Sequence, residues 1–140
     1  MTGINGPRHH PHLWVDRLHP YMTTTFEGLV ASGLYVRDSW LDPMGPRDAT
    51  FVYTDPTANV PGKEFALVWD EVSGWRQGGF ESGRQGERTV LSDTTYLGGG
   101  VLPQEKDLIN RLRAGVSEPR PQYRSVEDLH DGLDDALSRS

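Results

Sequence analysis

The chain of 140 residues has no cysteine, which removes disulfides, thiolate metal sites and thiol nucleophiles together. Histidine is nearly as restricted. His9, His10, His12 and His19 lie before residue 20 and His130 lies after residue 118, so residues 20–118 contain neither Cys nor His. Ser-His-Asp and Cys-His catalysis is excluded from that stretch, and a His-rich catalytic zinc has no ligands there. Lysine is also scarce, with only Lys63 and Lys106 among 14 basic residues. The net charge of −6 disfavours nucleic acid, whose phosphates call for a basic face. No run approaches the roughly 18 apolar residues of a membrane span. The N-terminus lacks the basic and apolar blocks of a secretory signal. These absences lead us to expect a cytoplasmic protein, and the arginine bias points to a GC-rich genome.

What is present is aromatic, glycine-bearing and acidic. Four Trp, five Tyr and four Phe supply much of the expected core, since each buries roughly 150–250 Å². Sixteen Gly and ten Pro make the chain rich in loops without making it low in complexity. The length fits one domain.

Residues 1–12, MTGINGPRHHPH, have no hydrophobic period and read as a flexible His-rich arm. Its histidines are expected to have incidental metal affinity only, since a built site needs fixed ligands and a supporting shell. A helical turn over 13–19 leads into a helix over 20–32. Pro20 suits its first position, Met22, Phe26 and Leu29 recur at helical spacing, and Gly33 stops it. Strands are predicted over 34–40, 49–54, 65–71, 75–80 and 88–91, the last extending toward Leu97. Leu34, Val36 and Trp40 are assigned to one face of the first strand by alternation. Val72, Ser73 and Gly74 form the turn of the clearest hairpin. Pro103 opens a helix to Ala114, with Glu105 and Asp107 in its first turn and Arg111 and Arg113 in its last, as the helix dipole favours.

A single α+β domain over 13–118 follows: an antiparallel sheet of about five short strands with N-terminal and C-terminal helices packed on one face. Residues 119–140 read as a linker and an acidic amphipathic helix. Ser125 and Asp128 resemble a capping box, and Val126, Leu129, Leu133 and Leu137 line one side. So short a helix is marginal in water. It requires a surface, on its own domain or on a partner, and these four residues are its partner-docking candidates.

Three stretches carry a resemblance. They are Trp40-Leu41-Asp42-Pro43 through Pro46-Arg47-Asp48-Ala49, then Leu67-Val68-Trp69-Asp70-Glu71 with Gly74-Trp75, and Tyr96-Leu97-Gly98-Gly99-Gly100-Val101-Leu102-Pro103. Together they resemble an actinobacterial family of small proteins described only as a domain of unknown function, over about residues 20–116. The resemblance implies the same source and compartment. It transfers no catalytic residue.

Three functions compete. The first is a non-catalytic protein-interaction or regulatory module, including a homodimer, motivated by the missing catalytic constellation and by the amphipathic tail. The second is small-molecule binding in a pocket lined by Trp40, Trp69 and Trp75 and edged by Arg47, Asp48, Asp70 and Glu71. The third is acid/base catalysis by Asp70 or Glu71. Gly98, Gly99 and Gly100 before a helix form a weak anion-binding candidate. A tight turn explains them more simply, because no phosphate-loop motif is present. No cofactor and no metal is expected.

Overall fold

The computed structural model describes residues 6–43, 46–58, 60, 62–124 and 132–138. The elements run α1 (Leu13–Asp16), α2 (His19–Ala31), β1 (Tyr35–Asp42), β2 (Asp48–Thr54), β3 (Glu64–Asp70), β4 (Gly74–Ser82), β5 (Val90–Tyr96), α3 (Glu105–Ala114) and α4 (Leu133–Ser138). All strand pairings are antiparallel and the sheet order is β1-β2-β3-β4-β5. Short loops between sequential strands dictate this meander.

One sheet face is the core. Phe51, Leu67, Trp69 and Trp75 pack against Leu18, Tyr21, Met22, Phe26 and Leu29 of the N-terminal helical region and Leu108 of α3. Phe51 stacks on Trp75 with ring centroids 5.9 Å apart. Three aromatic polar tips in this core are satisfied: the Trp69 indole N–H donates to the Val101 carbonyl (2.6 Å), Trp75 donates to the Tyr21 hydroxyl (3.1 Å), and Tyr21 donates to the Pro103 carbonyl (2.6 Å). That chain ties β3, β4 and α2 to the segment leading into α3, as buried Trp and Tyr require. The helix ends follow local chemistry. Gly33 (φ 99°) and Gly115 (φ 68°) take the left-handed conformation after α2 and α3, where a side chain would be strained.

Strand β1 departs from simple alternation. Its register with β2 shifts between Val36 and Asp38, so Arg37 is a bulge residue. Val36 opposite Tyr53 faces the helices, whereas Trp40 opposite Thr50 faces away. The expectation that Val36 and Trp40 share a face is therefore corrected, because one extra residue reverses every later side chain.

The second face is sheltered by the sheet's own last hairpin. Within the connection from β4 to β5, Gln85 Nε2 donates to the Leu41 carbonyl (3.1 Å) and the Gly86 amide donates to Asp42 (2.9 Å). Thr89 and Thr50 join hydroxyl to hydroxyl at 2.9 Å. The hairpin thus arches from β4 back to β1, and Trp40, Val52 and Val68 beneath it are buried.

The described residues toward both ends of the chain fold onto the domain. Residues 6–12, expected as a free arm, lie against the helices: His9 stacks on His19 (3.7 Å between centroids) and shares a hydrogen bond with Asp16. After α3, the Glu118 amide donates to the Tyr96 carbonyl (2.8 Å) and the Tyr123 amide to the Val72 carbonyl (2.7 Å). This strap leads toward α4, whose Leu133 and Leu137 join the main core. Those two leucines are consequently not open to a partner. Val126 and Leu129 lie outside the described residues.

Candidate functional site

The seven residues predicted to line one pocket do not converge. Trp69 and Trp75 are core residues on the helix face. Trp40, Asp48 and Asp70 belong to the opposite face, since Trp40 pairs with Thr50 and Asp48 with Asp70. Arg47 and Glu71 form a buried ion pair. The pocket built from three tryptophans is therefore withdrawn: strand alternation and the β1 bulge send its walls to two sides of the sheet.

Glu71 and Asp70 are occupied by structural contacts. Glu71 accepts from the Arg47 amide (2.7 Å), from Arg47 Nε (3.0 Å) and Nη2 (2.9 Å), and from Arg124 Nη1. Asp70 Oδ1 accepts from the Val72 and Ser73 amides (2.9 and 2.7 Å), closing the β3–β4 turn, while Oδ2 takes Arg76 Nη1 (2.8 Å). Both carboxylates thus have their oxygens taken up by donors of the fold itself. These contacts close the β3–β4 turn and hold a buried ion pair.

The triple glycine is a turn. Gly98, Gly99 and Gly100 have φ of 70°, 87° and 90°. A side chain at Gly98 would run into the Glu118 carboxylate, and the Gly100 amide faces the Tyr123 hydroxyl at 3.3 Å. An acidic group already sits against the loop, so the anion-binding reading of Gly98–Gly100 is corrected as well.

A different site emerges on the second face. Asp42, Asp48 and Asp70 occupy directly paired positions on β1, β2 and β3. Asp42 is buried and satisfied by the Gly86 amide. Among the described residues the Asp48 carboxyl takes no hydrogen bond. Burial, followed by the neighbouring Asp42 charge, pushes its pKa up to about 7; Arg76 and Arg88 oppose the rise and Asp70 adds to it. Burial and like charge both penalise the ionised form.

Asp48 borders a cavity of about 680 Å³, within the roughly 300–1,000 Å³ of small-molecule sites. Its apolar wall includes Val68, Val72, Leu91 and Tyr96, and its charged lining is Asp48, Asp70, Arg76, Arg88 and Arg120. Arg76 is committed to Asp70. Among the described residues, Arg88 and Arg120 are exposed and form no ion pair; the contact of Arg120 to Ser73 Oγ is long, at 3.5 Å. Two guanidiniums outside any ion pair among the described residues therefore stand at a cavity bordered by a carboxyl of raised pKa, in a chain of net charge −6.

Sequence reasoning named Asp48 and Asp70 but missed Arg76, Arg88 and Arg120. Arg76 was legible in principle, since it alternates with Trp75 toward the other face. Arg88 and Arg120 arrive through the arched hairpin and the strap, which no local pattern announces. Among the described residues no three His, Cys, Asp or Glu side chains group as metal ligands, and no helix is long and apolar enough to cross a membrane.

The fold and cavity define a small α+β protein built on one five-stranded antiparallel meander. The chain belongs to a family of unknown function, DUF6292, whose model matches residues 21–114. The match takes in α2 from Tyr21 onward, the whole sheet and α3, and stops before Arg120 and α4. Neither the curated proteins nor the solved structures contain a match to the chain.

Proposed function

We propose that this protein is a small-molecule-binding domain whose site is the cavity between the second sheet face and the arched β4–β5 hairpin. The observation that carries this reading is the meeting of an apolar wall (Val68, Leu91, Tyr96) with polar groups that, among the described residues, stand outside any ion pair (Asp48, Arg88, Arg120). Such convergence of apolar lining and a few placed polar groups is the usual make-up of a ligand site. Binding is favoured over catalysis because Asp70 and Glu71 are engaged in turn closure and ion pairing. A role as a protein-interaction module, whether homodimeric or with another partner, loses the support that the tail's leucines lent it, since Leu133 and Leu137 are covered internally. The large exposed apolar residues are Leu13, Tyr35, Val60, Val90 and Tyr123, spread over different elements, whereas a docking surface calls for a contiguous patch. The arginine bias and the absence of cysteine support a cytoplasmic, actinobacterial setting.

The test is a fragment screen by NMR on the full chain and on Thr94→Trp, which places an indole at the cavity wall. Saturable shifts at residues 48, 68, 91 and 96, lost in Thr94→Trp, are expected. Fragments that perturb only other surfaces would remove the reading.

A further inference from the structure

The charges left over in the cavity specify the class of ligand. Asp70 is neutralised by Arg76 and two amides, and Asp42 is capped by Gly86. What remains is Asp48 from β2, Arg88 from the β4–β5 connection and Arg120 from the strap. Among the described residues, the charged groups facing Asp48 are Asp42 on β1, Asp70 on β3, Arg76 on β4 and Arg88 on the hairpin. A cationic ligand would meet two unpaired guanidiniums. A doubly charged anion would gain from both but would crowd the aspartate row of β1 to β3. A single carboxylate matches best. It can take a two-pronged hydrogen bond from a guanidinium, and its second oxygen can accept a proton-bearing donor.

We propose that the cavity takes a small monocarboxylate with an apolar body: Arg88 and Arg120 hold the carboxylate, Val68, Leu91 and Tyr96 contact the apolar body, and the Asp48 carboxyl hydrogen-bonds the ligand. This rests on the small-molecule reading above and adds ligand class and proton dependence. The ionised Asp48 would oppose the same ligand, as two carboxylates at contact distance do not both stay charged. Affinity therefore falls as pH rises and Asp48 loses its proton, although the ligand stays ionised throughout.

The probes are matched pairs of aliphatic and aromatic monocarboxylates and the neutral amides of the same skeletons, titrated by NMR at pH 6 and pH 8. At least one acid is expected to bind tenfold more tightly than its amide at pH 6, with shifts at residues 48, 88, 91 and 120. Arg88→Ala and Arg120→Ala, both at exposed positions, should each weaken the acid by about tenfold and leave the amide unchanged. The acid should weaken severalfold between pH 6 and pH 8 in the natural chain. In Asp48→Asn, which keeps a donor and cannot ionise, it should not. Amides that bind the cavity as well as the acids would overturn the inference and leave the small-molecule reading intact. If no acid or amide moves a cavity residue, both fall. An equal pH response in Asp48→Asn would overturn the role of Asp48.

Discussion

The guanidinium of Arg47 lies fork to fork against the carboxylate of Glu71, Nε to Oε2 at 3.0 Å and Nη2 to Oε1 at 2.9 Å. Both side chains are almost fully buried. Arg47 also donates to the Trp14 carbonyl (2.9 Å) and to Asp134 (2.8 Å), and its plane stands 4.7 Å from the Trp14 ring centroid. One side chain thus joins α1, the β1–β2 connection, the β3–β4 turn and α4. Removing Arg47 or Glu71 takes from the other its two-pronged partner in a buried site, leaving Asp134 to Arg47 or Arg124 to Glu71, and breaking such a pair costs up to about 3–5 kcal/mol. Glu71→Gln and Arg47→Met are each expected to lower unfolding free energy by that amount in urea titrations. Glu71→Leu combined with Arg47→Met should cost less than the sum of its parts, because the pair is coupled.

α4 is held by Leu133 and Leu137 in the core and by the contact of Asp134 with Arg47. Its six residues could not form a helix alone in water. Leu137→Ala should therefore release α4 as a unit before the sheet unfolds. Hydrogen exchange checks this: amides of 134–138 should exchange at least tenfold faster, while those of β2 and β3 keep their protection.

Much of this architecture follows from local patterns. Pro20, Gly33 and the spacing of Met22, Phe26 and Leu29 mark α2, and the charges of 105–113 with Gly115 mark α3. Alternation of Phe65, Leu67 and Trp69 marks the core face of β3. The site was hidden for two physical reasons. The bulge at Arg37 reverses the side of Trp40 without any glycine or proline to betray it. Arg88 and Arg120 are separated from Asp48 by long stretches of chain, so their meeting depends on how far the last hairpin curls and where the strap runs. The sequence pattern places Arg47 and Glu71 at the edge of a binding pocket, whereas burial as an ion pair gives them a structural task.

The curl of that hairpin depends on a close approach at Gly78. A β-carbon there would sit 2.6 Å from the Ser92 carbonyl oxygen and 3.0 Å from the Leu91 β-carbon. Backbone cannot yield as a side-chain tip can, so Gly78→Ala must push β5 away from β4. We expect a loss of about 1–3 kcal/mol, the usual cost of overpacking, read by thermal or urea unfolding. Because β5 carries Leu91 and Tyr96, the same variant should also weaken any ligand bound in the cavity.

Asp48 makes a distinct pH signature. Its pKa rises from 3.8 to about 7 on folding, so the folded chain holds a proton that the unfolded chain has released. Stability then falls as pH climbs from about 4 to about 7 and levels off above, since the slope follows the protons bound by the unfolded state minus those bound by the folded one. Asp42 is shifted in the same direction by its burial. Asp16 and Asp55 are shifted downward, and their contribution is lost only as pH falls below about 4. The difference between Asp48→Asn and the natural chain isolates Asp48. The variant should be more stable at pH 8, by on the order of 1–3 kcal/mol given its partial exposure, and nearly equal at pH 4. Urea unfolding at pH 4, 6 and 8 reads this directly, and a difference that does not grow with pH would mean that the Asp48 carboxyl is ionised in the folded protein.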